Sequence, residues 1–337
     1  MLSRSADKGV ATQIAAAMIV AGSALIAADL PSIFVIRAQT LNAQPQVRLP
    51  EEAVGLDAIA RTLIAVFDQA DIVALGEWHG RIGLDSDLRL ALVRHPDFAK
   101  RVRSIVIECG SVTEQSTLDR YIRGEDVPRA QLERVWKATA GTTNGFCDAP
   151  AYPGFLKAIR DVNSRLPANA RIRVFGGHPG PTVNGSIENT VVSVLKEQVL
   201  QKHGKALVIF GAAHFYRTLP AEVGTALVSK LETEFPGRTF AVIPVGPLAP
   251  ERGVTGDIDP DFQKFDRALK THSRPVLVSL QRLPFRDFKA EEFLGRTVTT
   301  CSPSRGCVSM FKDSKITLGQ VADACVYIGG AAVPTGK

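Results

Sequence analysis

Short apolar runs constrain the fold of this chain more than any other feature of its sequence. Four of them lead into residues able to do chemistry: residues 72–75 before Glu77 and His79, 102–107 before Glu108, 171–177 before His178, and 205–213 before His214. Apolar runs of this length, bounded by turn signals, are typical of strands buried on both faces, as in a parallel sheet. The sequence therefore predicts a buried sheet whose strands end on ionisable side chains.

Helical patterns alternate with these runs. In residues 56–67 the apolar positions recur at helical spacing and define one buried face. Helices are also predicted at 84–94, 113–123, 128–138, 155–166, 187–201 and 221–235, and further strands at 239–245, 275–280 and 324–328. Strands that alternate with helices predict βαβ units with right-handed crossovers. The predicted fold class is α/β, with a mainly parallel central sheet flanked by helices.

Two segments interrupt this alternation. Residues 141–153 are rich in Gly, Thr, Asn and Pro and are predicted to form a loop over the site. Residues 251–311 are irregular and are predicted to form a lid or an elaboration at the edge of the sheet.

The strand ends indicate where chemistry takes place. If the sheet is parallel, the carboxyl ends of its strands lie along one edge, where ligands bind in open α/β sheets. Glu77 and His79 are two residues apart, so in extended backbone their side chains point to the same side. Glu108 follows an apolar strand and should be desolvated, so it needs a partner or a raised pKa. His178 and His214 end the next two runs. A single histidine is more often a satisfied core or rim residue, but convergence of all five favours a functional pocket.

The N-terminus has the pattern of a secretory signal. Arg4 and Lys8 precede an alanine-rich, almost uncharged segment at residues 10–28. Cleavage is expected after Ala28 or Ala43, and an uncleaved anchor is the alternative, since a second apolar patch follows at 31–36. We therefore predict a signal peptide or N-terminal membrane anchor at 1–43 and a single α/β domain at 49–337. The predicted location is the periplasm, free or anchored in the inner membrane through this segment alone.

The charge distribution and the cysteines indicate which partners and disulfides to expect. The net charge is +6, but Lys and Arg are spread among acidic residues without a basic run, so no nucleic-acid partner is expected. Cys301 and Cys307 flank a turn-rich segment, and export would favour a disulfide between them. Cys109 and Cys325 lie beside apolar runs and are predicted to be buried thiols, while Cys147 has no obvious partner.

Paired motifs carry a resemblance to a known superfamily. Gly76-x-x-His79 and Gly211-x-x-His214, with the Gly-Glu-x-His form of the first and the glutamate that closes the next strand, resemble the superfamily of Tiki proteases, TraB-type proteins, erythromycin esterases and ChaN-like haem-uptake proteins. The likeness extends over residues 72–214, and the sequence DACVYIGG resembles the closing strand of bacterial members. The resemblance implies an EreA/ChaN-like architecture.

The resemblance also implies roles for individual residues. In the esterases the matching positions form the catalytic set, here Glu77, His79, Glu108 and His214. In the Tiki branch the same four positions imply a divalent metal site, and in the ChaN-like branch they imply an iron or haem role. Many bacterial relatives have an aspartate after the third-strand glycines, where this chain has His178.

The sequence is consistent with two main functions and with a third alternative. The first is an exported hydrolase that activates water against an ester or peptide bond of a small-molecule or peptide substrate, with or without a divalent metal. His79 and Glu108 would then act as a unit, and His178, Tyr216 and Trp78 would contact the substrate. The second is a haem- or iron-binding uptake protein with Tyr216, His214 or His178 as a ligand. The third is a scaffold that has kept the fold and lost activity.

No sequence signal supports a nucleophilic serine or cysteine. The chain has no Gly-x-Ser-x-Gly elbow. Cys109 directly follows Glu108, and a thiol beside a carboxylate should have a raised pKa and be a poor nucleophile.

Overall fold

The computed structural model describes residues 47–78, 84–139, 147, 151–181, 185–221, 223–246, 260–294, 299–302 and 306–329. Its strands are β1 Glu52–Val54, β2 Ile72–Glu77, β3 Ser104–Ser111, β4 Arg173–His178, β5 Ala206–Gly211, β6 Thr239–Val245, β7 Val276–Ser279, β8 Thr299–Ser302, β9 Gly306–Ser309 and β10 Ala324–Tyr327. Eight of them form one sheet in the order β1-β7-β10-β6-β2-β5-β3-β4. β8 and β9 form a separate antiparallel hairpin. The central strands are parallel, and only the pairings of β7 are antiparallel.

Helices cover the sheet. They are α1 Leu56–Val66, α2 Leu84–Arg94, α3 Phe98–Arg101, α4 Gln115–Arg123, α5 Arg129–Lys137, α6 Ala151–Asn163, α7 Ile187–Val194, α8 Leu227–Glu234, α9 Pro260–Ala268, α10 Ala290–Leu294 and α11 Leu318–Val321. α7 continues as a π-helical turn, Leu195–Val199, and a 3₁₀ turn, Leu200–Lys202. The helix predicted at 221–235 is shorter at its start, because α8 begins only at Leu227.

The sheet separates two apolar cores. Along β2, Ile72 and Ala74 belong to one core, and Val73 and Leu75 belong to the other. Successive side chains of a strand point to opposite faces, so a strand covered on both sides must be apolar throughout. This arrangement explains the uninterrupted apolar run in the sequence.

A bulge shapes the end of β3. Ile107 pairs with Gly176 and Ser111 pairs with His178, so residues 108–110 lie opposite Gly177 alone. A Cβ on Gly176 would lie 2.6 Å from the carbonyl oxygen of Gly110 in the bulge, and a Cβ on Gly177 would lie 2.4 Å from Cζ of Phe210 on β5. Bulges bend a strand and re-aim its side chains, often next to active sites. Gly176 is therefore required by the bulge that contains Glu108, and Gly177 by the ring of Phe210.

The same bulge carries a disulfide, between Cys109 and Cys147. The predictions that Cys109 is a buried thiol and that Cys147 lacks a partner are therefore wrong. The two cysteines are 38 residues apart, and sequence spacing gives no sign of a pairing that only the tertiary fold creates. Cys325 is a buried free thiol, as predicted, and burial raises its pKa.

The predicted disulfide between Cys301 and Cys307 stays a prediction. Their backbones pair in register across the β8–β9 hairpin. Their side chains lie outside the described residues. Across the described ranges, no helix combines the length and the hydrophobicity needed to cross a bilayer.

Candidate active site

The strand order brings the ends of β2, β5, β3 and β4 together at one edge of the sheet. Glu77 is paired with Gly211 across β2 and β5, and β3, which carries Glu108, lies on the other side of β5. Adjacent strands are spaced by about 4.8 Å, so the two glutamates leave strands roughly 10 Å apart. His214 follows β5 and His178 ends β4. Four of the predicted site residues therefore share this edge.

Glu77 is a buried carboxylate whose two oxygens both have partners. Nη1 of Arg89 donates to Oε2 at 2.7 Å, and the hydroxyl of Tyr152 donates to Oε1. The Arg89 guanidinium also lies over the Tyr152 ring, 4.7 Å from its centroid, and 5.6 Å from that of Phe155. A buried ion pair of this kind is costly to break, because one charge would stay desolvated. Glu77 is thus a charge-compensated group.

Tyr152 serves this cluster as a neutral donor. Burial, and then the charge of Glu77, raise the pKa of its hydroxyl well above the ordinary value. A narrow cavity lined by Gly76, Glu77, Leu88 and Arg89 adjoins the cluster and has room for about one water molecule.

Arg89 and Tyr152 were not predicted as site residues from the sequence. Arg89 follows Leu88 on the apolar side of α2, where a charged residue signals a buried partner. Tyr152 lies at the start of α6, and the sequence contains no comparable signal for it.

Glu108 and His214 form the second cluster. Oε2 of Glu108 accepts a hydrogen bond from the backbone N–H of Gly211 at 2.7 Å. Oε1 lies 3.6 Å from Nε2 of His214, and the Glu108 side chain is 8% exposed. The hydrogen bond from Gly211 stabilises the ionised carboxylate. The glycine of the second Gly-x-x-His motif thereby fixes the carboxylate that faces the histidine of the same motif.

His214 is accessible as well as paired. Its side chain is 25% exposed, and Nδ1 lies 4.0 Å from Oε1 of Glu188 in the first turn of α7. The ring of Phe210 packs edge-on against it, with centroids 5.6 Å apart. The imidazole thus lies between two carboxylates, with an exposed side toward solvent.

Buried anchors fix the backbone after His214. Phe215 and Tyr216 have no exposed surface. Arg217 then bonds Asp323 through Nη2 at 2.6 Å and lies 3.1 Å from Glu232 through Nη1. Burial raises the pKa of Asp323, and the guanidinium of Arg217 opposes this. These contacts hold the 3₁₀ turn Ala212–Phe215, and with it His214, in place.

His178 lies beside the Glu108 cluster as a buried imidazole. Its Nδ1 accepts a hydrogen bond from the backbone N–H of Gly180 at 3.0 Å, so the neutral ring carries its proton on Nε2. Burial lowers its pKa, and the charge of Glu108 opposes this.

The remaining predicted site residues are placed differently. Tyr216 packs against Phe311, with ring centroids 5.4 Å apart, inside one of the two cores. A fully buried phenol is not offered to a substrate or to haem iron. Trp78 is buried directly after Glu77, at the margin of the same core. His79 lies outside the described residues.

The donor set fits a divalent metal poorly. Within the described ranges, which leave out His79, no three His, Cys, Asp or Glu side chains come together as a metal-binding group. Both oxygens of Glu77 are taken by Arg89 and Tyr152, and the guanidinium already compensates its charge. Among the described residues, Glu108 and His214 provide two such ligands, whereas catalytic zinc sites have three protein ligands.

Comparisons with known proteins show which solved structures share the fold of this chain. No family model matches the sequence, and neither does any curated protein. A solved structure of a Bacillus cereus protein aligns with a TM-score of 0.53 over 87% of this chain and 97% of its own, at 13% identity. A succinoglycan biosynthesis protein aligns with a TM-score of 0.53 over 88% of this chain and 98% of its own, at 11% identity. The fold is shared.

An erythromycin esterase, a variant of EreC in its open conformation, also matches. Its TM-score is 0.48 over 82% of this chain and 94% of its own, at 12% identity. The predicted fold class, α/β with a mainly parallel sheet flanked by helices, is confirmed.

Proposed function

We propose that this protein is an exported hydrolase that uses His214 and Glu108 to activate water against an ester or peptide bond. The observation that supports the proposal is the pairing of a buried, backbone-bonded carboxylate with a partly exposed imidazole, 3.6 Å apart. The disulfide between Cys109 and Cys147 supports the exported location, because disulfides persist in oxidising compartments.

The chemistry follows from the two nitrogens of His214. With its proton on Nε2, directed at Oε1 of Glu108, the imidazole has Nδ1 free to accept a proton. A water bound at Nδ1 transfers that proton to the ring while its oxygen attacks the carbonyl carbon of the substrate. The imidazolium that forms is stabilised by Glu108, and by Glu188 4.0 Å from Nδ1. It then returns the proton to the leaving group as the carbon–heteroatom bond breaks. The spacing of 3.6 Å suits the free enzyme, since catalytic hydrogen bonds often tighten only with substrate bound.

The Glu77 cluster has a supporting role in this proposal. Arg89 is 3% exposed and Tyr152 also 3% exposed, so neither is offered to a substrate in bulk solvent. Their ion pair and hydrogen bond hold the end of β2, and therefore the segment that leads to His79, in a fixed position beside β5.

The test is a set of single and double variants on panels of ester and peptide substrates. Glu108→Gln and His214→Ala should each lower kcat by about 10²–10⁴, the contribution of a positioned general base. The double variant should be little worse than either single one, because the two residues act in one step. His79→Ala should follow the same pattern if His79 completes the pocket. His272→Ala changes an exposed histidine and should keep full activity.

Two further arms separate the alternatives. Activity should survive a chelator, whereas a metal-dependent site would lose it and regain it with added divalent ion. Haem titration should give no tight complex. If Glu108→Gln and His214→Ala hydrolyse every substrate like the wild type, and haem binds tightly unless His214 is replaced, the protein is a haem-binding protein and the hydrolase proposal fails.

A further inference from the structure

Seven arginines gather at the edge of the sheet where β3 and β4 begin, opposite the edge of the candidate active site. We call them the arginine surface: Arg103, Arg120, Arg123, Arg160, Arg165, Arg171 and Arg173. They come from separate segments spread over residues 103–173, so they do not form a basic run in the sequence. The fold, and not the local sequence, creates the surface.

Hydrogen bonds show that these residues form one patch. The backbone N–H of Arg173 donates to the carbonyl of Arg103 at 2.7 Å. Nη1 of Arg103 donates to the carbonyl of Asn169 at 2.8 Å, and Nη1 of Arg171 to the carbonyl of Arg123 at 3.4 Å. The starts of the two strands and the end of α4 are therefore neighbours.

The remaining contacts extend the patch without neutralising it. Arg160 donates to the carbonyls of Gly124 at 2.9 Å and Glu125 at 2.8 Å, and Arg165 to the carbonyl of Asp161 at 3.3 Å. A carbonyl is a neutral acceptor, so these guanidiniums keep their full charge. Arg160 and Arg171 also face the negative end of the α4 dipole, which accounts for their place in the fold.

The patch has a large excess of positive charge. Glu125, Asp126 and Asp161 are the acidic residues within 120–126 and 160–173, so seven arginines face three carboxylates. Arg120 and Arg123 both bind Glu125, at 3.0 and 2.9 Å. The seven arginines therefore exceed these carboxylates by four, which makes the patch positively charged.

We propose that the arginine surface docks on an anionic phospholipid bilayer. β1 runs in the same direction as β10 and β6, so Glu52 lies at the end of the sheet where β3 and β4 also begin, although β1 is the outermost strand on the other side of the sheet. The residues before it include the apolar segment 10–28. An apolar anchor together with a basic patch is the combination that gives stable attachment to a membrane. The active-site edge then faces away from the bilayer.

The aromatic residues of the patch disfavour a nucleic acid as the partner. Proteins that bind single strands offer exposed rings on which bases stack. Here the Arg160 guanidinium lies over the ring of Tyr121, 4.8 Å from its centroid, and that of Arg173 over Phe175, at 4.6 Å. The two arginines therefore cover these rings, and Arg173 is itself exposed.

The experiment measures sedimentation of the full-length protein with vesicles of phosphatidylcholine, with and without phosphatidylglycerol. Arg103→Gln/Arg165→Gln/Arg173→Gln removes three exposed charges of the patch. Arg267→Gln/Arg286→Gln/Lys289→Gln removes three exposed charges elsewhere and is the matched control. Each basic residue near an anionic surface contributes a factor of about five in affinity. The first triple variant should therefore bind phosphatidylglycerol vesicles on the order of 100-fold more weakly, with a smaller salt dependence.

The outcomes separate the proposal from its alternatives. The control variant and the wild type should bind alike, and all three proteins should bind pure phosphatidylcholine equally, since only the N-terminal segment then contributes. Equal binding of both triple variants to phosphatidylglycerol vesicles overturns the proposal. So does tight binding of a DNA or RNA oligonucleotide that is lost in the first triple variant, if the vesicle binding is unaffected. Hydrolysis by both triple variants is measured in parallel. The vesicle-binding result therefore does not depend on whether the proposed catalytic function is correct.

Discussion

His178 links the stability of the fold to pH. It is 6% exposed, its Nδ1 accepts a hydrogen bond from Gly180, and burial lowers its pKa while the charge of Glu108 opposes this. Burial therefore outweighs the attraction of the neighbouring carboxylate. The imidazole is held in its neutral form at neutral pH.

The free energy of unfolding should fall as the pH drops below about 6.5, the ordinary value for histidine. The unfolded chain takes up this proton first, so protonation favours unfolding until the folded pKa is reached. His178→Asn keeps an acceptor toward Gly180 but does not titrate, and it should lose less stability on acidification. Urea unfolding at about pH 7.5 and about pH 5.5 measures this. His272→Asn, at an exposed position, should behave like the wild type, and an unchanged pH dependence in His178→Asn would count against the argument.

The sequence alone locates the ends of the strands and so the residues that lie there. Glu77, Glu108, His178 and His214 could be placed at one edge because each follows an apolar strand of a parallel sheet. What local sequence cannot supply is the partner of each group. The hydrogen bond from Gly211 to Glu108 joins residues 103 positions apart, and that from Tyr152 to Glu77 joins residues 75 apart.

At the scale of the elements, β4 leaves room for the ring of Phe210 on β5 because residue 177 is a glycine. Gly177→Ala would place its Cβ 2.4 Å from Cζ of Phe210, a fully buried ring that packs against His214. This substitution should destabilise the protein by about 1–3 kcal/mol, the usual cost of overpacking a core, and should also lower activity by displacing Phe210.

Gly154→Ala is the matched control for this prediction. Gly154 lies in α6, and a Cβ there would meet nothing within 4 Å. The change should be neutral or should stabilise the helix by up to about 1 kcal/mol. Thermal or urea unfolding of both variants gives the comparison. A Gly177→Ala variant as stable as Gly154→Ala would show that the ring of Phe210 can shift freely.

The strands that could be predicted from the sequence are those buried on both faces. The strand features that could not be predicted depend on pairing between distant residues. The strands with both faces covered are the apolar runs of the sequence, since each residue must be apolar there. β1 was missed because it has only three residues and exists through antiparallel pairing with β7, more than 200 residues away. The bulge was missed as well, because the extra residues of β3 are defined by their register with β4.

At the scale of the whole molecule, the disulfide is the strongest single restraint. It closes a segment of 38 residues between β3 and Cys147, and the chain-entropy model assigns about 4 kcal/mol to such a loop. Cys109→Ser/Cys147→Ser should lose free energy of unfolding of that order and should lose activity, since Cys109 directly follows Glu108.

Urea unfolding with and without a reductant measures the loss. Reductant should lower the stability of the wild type toward that of the double variant and should change the variant itself little. Cys301→Ser/Cys307→Ser, measured in parallel, separates any contribution of the hairpin pair. A wild type whose unfolding is unaffected by reductant, with both cysteines shown by mass analysis to be reduced, would contradict the expectation.

The strand order has a consequence for the way the chain matures. β5 lies between β2 and β3, and β10 lies between β6 and β7. Each of these two strands is synthesised after both of the strands that it joins. Glu77 and Glu108 cannot be bridged until residue 211 has emerged, and the sheet stays divided until residues 324–327 arrive. Completion of the sheet is therefore postponed to the end of translation, because its pairings are non-local. We propose that this chain leaves the cytoplasm. Late completion of the sheet would keep the polypeptide unfolded for translocation, and Glu108 and His214 would then come together only in the periplasm.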